Sequence, residues 1–157
     1  MFDVHGTLIH ASEAWIQAFT FYCKDEKFCR EWLENKGSRK ALAKKIGIPF
    51  ESVHNLYREK ISANDRIVSL FEIYKQTHEV IIVSNAKKED VVADCGAVHI
   101  PLDGVKIFSS EMGKKPDSKY LKRILDEMKW DKALLIGNDM EEDMIGIDDI
   151  ITLMIPM

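Results

Sequence analysis

The chain has 157 residues, of which 46% are hydrophobic and 31% charged, with 8 Gly and 4 Pro. That balance excludes a disordered, collagen-like or low-complexity chain and fits a globular protein with a sizeable core. Lys and Arg number 22 against 26 Asp and Glu, a formal charge of −4. This argues against a nucleic-acid partner, whose recognition normally takes a basic excess.

The longest apolar runs, Val80–Val83 and Ala133–Ile136, fall far short of the roughly 18 residues a membrane span requires. No membrane partner is expected, and no secretory leader is visible at the N-terminus. Cys23, Cys29 and Cys95 are odd in number and lack C-x-x-C spacing. The reading is a cytoplasmic, reducing location with buried free thiols, not a disulfide framework or structural zinc site. The one basic cluster (Arg39, Lys40, Lys44, Lys45) has the spacing of a solvated helix face.

In chain order, Met1-Phe2-Asp3 opens a strand that ends in a Gly-Thr turn. A helix-rich stretch follows. Ser12 is placed to cap a helix with Trp15, Ile16, Phe19 and Tyr22 inward. Glu26 to Asn35 forms a second, with Phe28, Trp32 and Leu33 inward and Gly37 as its stop. Ser38 to Ile46 forms a third, and Pro49 opens a fourth that runs to about Lys60.

From Asn64 the pattern alternates. Asn64 or Asp65 caps a helix with Ile67, Leu70, Phe71 and Tyr74 inward, followed by a strand at Val80–Val83 and a helix at Lys88–Asp94. Next come a strand at Val105–Phe108, a helix at Ser118–Met128 and a strand at Ala133–Ile136. A short helix near Glu142–Ile147 and a strand at Ile150–Ile155 complete the chain, which ends at Pro156-Met157. Uniformly apolar strands separated by amphipathic helices indicate an α/β fold, a parallel sheet covered on both faces.

In such sheets ligands bind beyond the C-terminal strand ends. The polar residues expected there are Asp3, His5 and Thr7; Ser84 and Asn85; Ser109, Ser110, Lys114 and Lys115; and Asn138, Asp139 and Asp143. Carboxylates suit a hard cation such as magnesium, and a lysine suits an anion.

Four segments together resemble the motifs of the haloacid-dehalogenase-like (HAD) hydrolases. Phe2-Asp3-Val4-His5-Gly6-Thr7-Leu8 resembles the first motif, usually D-x-D-G-T, and Ile82-Val83-Ser84-Asn85 the second. Gly113-Lys114-Lys115-Pro116-Asp117 is similar to the third, and Leu135-Ile136-Gly137-Asn138-Asp139 with Asp143 to the acidic fourth. The resemblance implies a Rossmann-like three-layer core at 1–8 and 65–157, with a small helical cap at 9–64 inserted after the first strand.

It also implies a mechanism. Asp3 would be the nucleophile that forms an aspartyl-phosphate, with Lys115 holding Asp3 and the phosphoryl oxygens. Thr7, Ser84, Asn85 and Lys115 would bind the phosphate of a small phosphorylated metabolite. Mg2+ would be held by Asp3, the main-chain carbonyl of His5 and a carboxylate of the fourth motif.

Two positions depart from the family pattern. His5 replaces the second aspartate of the first motif, the residue that protonates the leaving group, and an imidazole can do acid–base work near neutral pH. Asn138 stands where many relatives have Asp. The Asp139–Asp143 frame keeps both acids and is favoured for the metal, with the Asn138 amide oxygen as a weaker ligand. The leading expectation is a magnesium-dependent phosphatase. The alternatives are a dehalogenase- or phosphonatase-like hydrolase of the same fold, or a catalytically weak phospholigand- or partner-binding relative. Because only Met1 and Phe2 precede Asp3, the first strand is expected to be short for a central one, with neighbouring backbone groups unpaired and apolar surface uncovered. The expectation is either that apolar residues are missing before Met1 or that the sheet is weak there.

Overall fold

The computed structural model describes residues 1–35 and 37–155. The chain divides into two compact units, Met1–Ile9 with Ala63–Met157, and His10–Ser62. It leaves the first unit at β1 (Ile9–His10) and returns at β2 (Ser62–Ala63).

The first unit is the α/β core. Its elements are α5 (Asp65–Thr77), β3 (Ile81–Val83), α6 (Lys88–Ala97), β4 (Lys106–Phe108), α7 (Ser118–Met128), β5 (Ala133–Gly137) and β6 (Ile150–Met154). β3 pairs in parallel with β4, Val83 opposite Phe108, and β5 pairs in parallel with β6, Ala133 opposite Ile150. Phe2 joins the two pairs through parallel bridges to Ile82 on one side and Ile136 on the other.

Met1–Asp3 does not form the expected regular strand: Phe2 alone bridges the two pairs, but backbone hydrogen bonds tie the segment to both neighbours. Phe2 N–H donates to Ile81 at 2.9 Å and Asp3 N–H to Ile136 at 2.9 Å, while Val83 and Ile136 donate back to Phe2 and Met1 at 3.0 Å. The apolar residues beside it are covered, with Met1, Phe2, Val80 and Ile136 all buried. A cavity of about 470 Å³ opens among Met1, Phe2, Tyr74, Val80, Trp130 and Leu134. At its rim Trp130 Nε1 donates to Glu79 Oε2 at 2.8 Å.

Side-chain alternation assigns the two faces of the sheet. Met1, Ile81, Val83 and Leu135 pack with Tyr120, Leu121, Ile124 and Leu125 of α7. Phe2 meets Phe71 of α5 edge-on, with ring centroids 5.2 Å apart. Apolar residues are buried on both faces, which explains why these strands read as continuous hydrophobic runs.

The expected helix at Glu142–Ile147 does not form. Met140–Asp143 is a turn and residues 144–147 are not helical. The carboxylate of Asp139 captures the amides of Glu141 and Glu142, a local competitor to helix geometry typical of Asp. Asn64 stands at the N-cap of α5 without a side-chain hydrogen bond. Pro156 and Met157 lie outside the described residues.

The second unit holds α1 (Ser12–Cys23), α2 (Glu26–Glu34), α3 (Arg39–Lys45) and α4 (Phe50–Lys60). Asp25 caps α2 by accepting from Phe28 N–H at 3.0 Å, and Ser38 caps α3 through Ala41 N–H at 3.3 Å. Ser12 does not cap α1. It is the first helical residue, and Ala11 occupies the cap position. The core of this unit is aromatic: Trp15 stacks on Tyr57 at 4.0 Å and lies beside Phe50 and His54.

Two inward assignments are corrected. Tyr22 is 36% exposed, because α1 turns its last aromatic off the buried face. On α2 the fully buried residue is Cys29, with Phe28, Trp32 and Leu33 only half-buried. The basic cluster is exposed as expected, with the Arg39 guanidinium 4.8 Å above the Trp15 ring. Among the described residues no helix is long and apolar enough to cross a membrane.

Candidate active site

At the C-terminal ends of the strands three charged side chains converge in the core. Lys115 Nζ donates to Asp3 Oδ1 at 2.7 Å and also contacts Asp143 Oδ1. All three residues are buried, Asp143 completely. Lys115 comes from the loop before α7, Asp3 follows Phe2, and Asp143 lies in the turn after β5. Residues 28 and 112 positions from Lys115 in sequence therefore share one ammonium group.

The electrostatics follow from burial and charge count. Burial, first, and then the nearby Asp143 carboxylate raise the Asp3 pKa above 3.8, against the pull of Lys115. The Lys115 pKa is raised above 10.5, because two carboxylates outweigh its own desolvation. The lysine is therefore charged, and two carboxylates share one cation. Glu142, close by, also has a raised pKa, chiefly through burial.

Neighbouring groups hold the cluster in place. Asn85, just past β3, clamps the Lys115 backbone at both ends: its Oδ1 accepts from Lys115 N–H at 2.8 Å and its Nδ2 donates to the Lys115 carbonyl at 3.1 Å. Asp143 Oδ2 accepts from the amides of Asn138 and Asp139, both at 3.0 Å. Thr7 Oγ1 donates to Asn138 Oδ1 at 3.1 Å, which links the first and fourth motifs. Ser84 is buried, and its Oγ accepts from Ala86 N–H at 3.2 Å, leaving its own hydrogen free to turn toward a ligand.

Two glycines allow this approach. Gly6 has φ +89°, and a Cβ there would overlap the Asn138 side chain. A Cβ on Gly137 would overlap the Asp143 carboxyl group. Gly137→Ala is expected to displace Asp143 and cost about 1–3 kcal/mol of stability, measurable as a shift in the denaturant midpoint.

The sequence reading missed Asp94. This α6 residue is 2% exposed, and its Oδ2 lies 2.9 Å from His5 Nε2. It is separated from His5 by 89 positions, so no local spacing could reveal the pair. A buried acid on the inner side of a helix is the only signal it gives. An ionised carboxylate can only accept, so we assign the hydrogen to Nε2, leaving His5 Nδ1 as the nitrogen able to exchange a proton.

The fourth-motif residues each have protein partners. Asn138 faces the Gly6-Thr7 turn, Asp139 Oδ1 accepts from Glu141 and Glu142, and Asp143 faces Lys115. In the helical unit, Arg30 is engaged by Glu13 through two contacts at 3.2 Å and by Glu26 at 2.8 Å. Among the described residues no group of three or more His, Cys, Asp or Glu side chains is arranged to hold a metal ion.

The parallel sheet and its flanking helices have the fold of the haloacid-dehalogenase-like hydrolases. No protein-family model matches the sequence, and no curated protein matches it. Solved structures do match. A Thermotoga maritima protein described as a β-phosphoglucomutase shares 14% identity at a TM-score of 0.76, over 95% of this chain and 82% of that one. The HAD family enzyme from Bacteroides thetaiotaomicron, solved with magnesium and inorganic phosphate, shares 14% identity at 0.69, over 98% and 91%. A Haemophilus somnus protein described as a phosphoglycolate phosphatase shares 13% identity at 0.69, over 96% and 81%.

Proposed function

We propose that the protein is a magnesium-dependent phosphatase that hydrolyses a small phosphate ester through an aspartyl-phosphate on Asp3. The observation that carries this reading is the buried Asp3–Lys115–Asp143 cluster beyond the strand ends. A carboxylate that is desolvated and held by one lysine has the setting of a nucleophile. The phosphate-handling names of the structural neighbours support it.

In the first step an Asp3 oxygen attacks phosphorus and the phosphorus–oxygen ester bond breaks. The bonding pair leaves with the alcohol oxygen, which takes a proton from Nδ1 of His5 in its imidazolium form, with Nε2 keeping its hydrogen on Asp94. In the second step water gives a proton back to Nδ1 as it attacks phosphorus, which releases inorganic phosphate and restores the Asp3 carboxylate. Lys115 restrains the charge on Asp3 and the phosphoryl oxygens, Ser84 donates a hydrogen bond to the phosphoryl group, and Thr7 does so by turning its hydroxyl away from Asn138. Asn85 acts through the backbone of Lys115. The helical unit serves as the cap that selects the substrate.

The donors fit magnesium by chemistry. Two carboxylates against one ammonium leave a buried negative charge, and all the available ligands are hard oxygens. Asp3, the His5 main-chain carbonyl, the Asn138 amide oxygen and the Asp139 or Asp143 carboxylate would hold the ion. When bound, it supplies positive charge to offset that of the phosphoryl oxygens.

Release of inorganic phosphate from generic phosphate esters, with magnesium or with a chelator, tests the reading. Turnover is expected only with metal. Halide release from a 2-haloacid without metal, in the absence of phosphatase activity, would overturn it. Asp94→Asn is expected to lower kcat about 10²-fold with little change in KM, because an amide can turn its NH2 toward His5 and impose the other tautomer. An unchanged kcat would make Asp94 a purely structural residue.

A further inference from the structure

Cys23 is the last residue of α1, and Cys29 lies in the first turn and a half of α2. Lys24 takes a left-handed conformation at φ 61° and Asp25 begins the cap of α2, so α2 folds back on α1 within two residues. This brings Cys23 Sγ to 2.8 Å from Cys29 Sγ. Unbonded carbon atoms settle about 3.5–4.0 Å apart, and sulfur is larger. The two sulfur atoms are in direct contact, and both thiols are free.

The two thiols are not equivalent. Cys23 is half-buried, whereas Cys29 is completely buried. Asp25 holds the Cys23 sulfur in place, its N–H donating to Sγ and its carbonyl accepting from it, each at 3.4 Å. Cys95, the third cysteine, is buried in the α/β unit.

We propose that Cys23 and Cys29 are a redox site that closes to a reversible disulfide on reaction with a small-molecule disulfide such as oxidised glutathione. The Cys23 thiolate attacks one sulfur of the oxidant, forming a mixed disulfide and releasing one glutathione thiolate. The Cys29 thiolate then attacks the Cys23 sulfur and expels the second glutathione. Two protein thiols are oxidised, one disulfide is reduced to two thiols, and two protons leave the protein with the products.

Exposure sets the order. Burial, then the hydrogen bond and charge of Cys23, push the Cys29 thiol up to about 12. The half-buried Cys23 is the thiol an oxidant can reach, so Cys23 attacks first and the buried Cys29, already in contact with its sulfur, resolves the mixed disulfide. The product ties the end of α1 to α2 across a short loop, whereas the Arg30–Glu13 pair joins the same two helices from the start of α1.

The full chain is incubated with oxidised glutathione, alkylated and mapped by mass spectrometry. The expected result is one linked peptide pair containing Cys23 and Cys29, lighter by two hydrogen atoms, with Cys95 alkylated. Dithiothreitol should restore all three thiols, and the oxidised form should melt about 5 °C higher. Cys29→Ala is expected to trap glutathione on Cys23, and Cys23→Ser, at the half-buried position, to remove the link if the first variant fails to fold. Three alkylated thiols after treatment with excess oxidant, a stable glutathione adduct on Cys23 of the unmodified chain, or a link through Cys95 would each overturn the proposal.

Discussion

Asp3→Asn is expected to abolish phosphate release, by about 10³-fold or more, and to raise the thermal midpoint by a few degrees. The two effects have one origin. Burial makes the charged Asp3 carboxylate costly, so its pKa in the folded state lies above 3.8. The folded state therefore binds the proton more tightly than the unfolded chain does. The stability associated with that proton is lost as pH rises through the folded value, and the cost is present at neutral pH. Asparagine removes the cost and keeps the shape, while Lys115 retains Asp143 as its partner. Active sites often carry this conflict between stability and activity. Phosphate release that survives the substitution would sink the nucleophile assignment, and a lower midpoint would mean that the carboxylate is a net stabiliser.

Lys115→Met acts in the opposite direction. It leaves Asp3 and Asp143 buried without their shared cation. Removing one partner of a buried ion pair costs about 3–5 kcal/mol, which corresponds to a fall in midpoint of about 6–20 °C for a chain of this size. Activity should be lost as well.

The pH dependence gives a second readout, taken on metal-free protein. The Lys115 pKa is raised above 10.5, so its stabilisation is fully present below 10.5 and declines as pH rises toward the folded value. Wild type should lose stability in that alkaline window, and Lys115→Met should lack that component. With its carboxylates unpartnered, the variant should instead become more stable as the pH is lowered. A variant as stable as wild type across this range would remove Lys115 from the centre of the charge cluster.

Much of the fold was legible because local chemistry and global packing agree. Ser118–Met128 matches its helix at both ends, since Asp117 accepts from Lys119 N–H at its start and Lys129 turns left-handed at its finish. The strands were legible from Val80–Val83 and Ala133–Ile136, because burial on both faces admits only apolar residues. The expected helix at Glu142–Ile147 shows the limit. Its acidic start has helix-like spacing, but Asp139 and Asp143 spend their carboxylates on turn amides and on Lys115. Such partners are invisible in a window of a dozen residues.

The candidate site divides along the same line. Residue types at strand ends marked Asp3, Ser84, Lys115 and Asp143, since a parallel sheet sends its loops to one edge. The roles within the site were less legible. Asn85 reads as a phosphate donor, and its amide also holds the Lys115 backbone at both ends, a role its sequence position does not announce. The His5–Asp94 contact joins a turn to a helix 89 positions away, and only the folded chain reveals it.

Trp130, at the rim of the cavity beside Phe2, has a use separate from chemistry. The chain has 3 tryptophans, and Trp15 and Trp32 both belong to the helical unit, leaving Trp130 as the indole of the α/β unit. Replacing Trp15 and Trp32 by phenylalanine would therefore give a single native fluorophore for that unit. Its emission would follow the hydration of the sheet end where Met1 and Phe2 sit, without an added label.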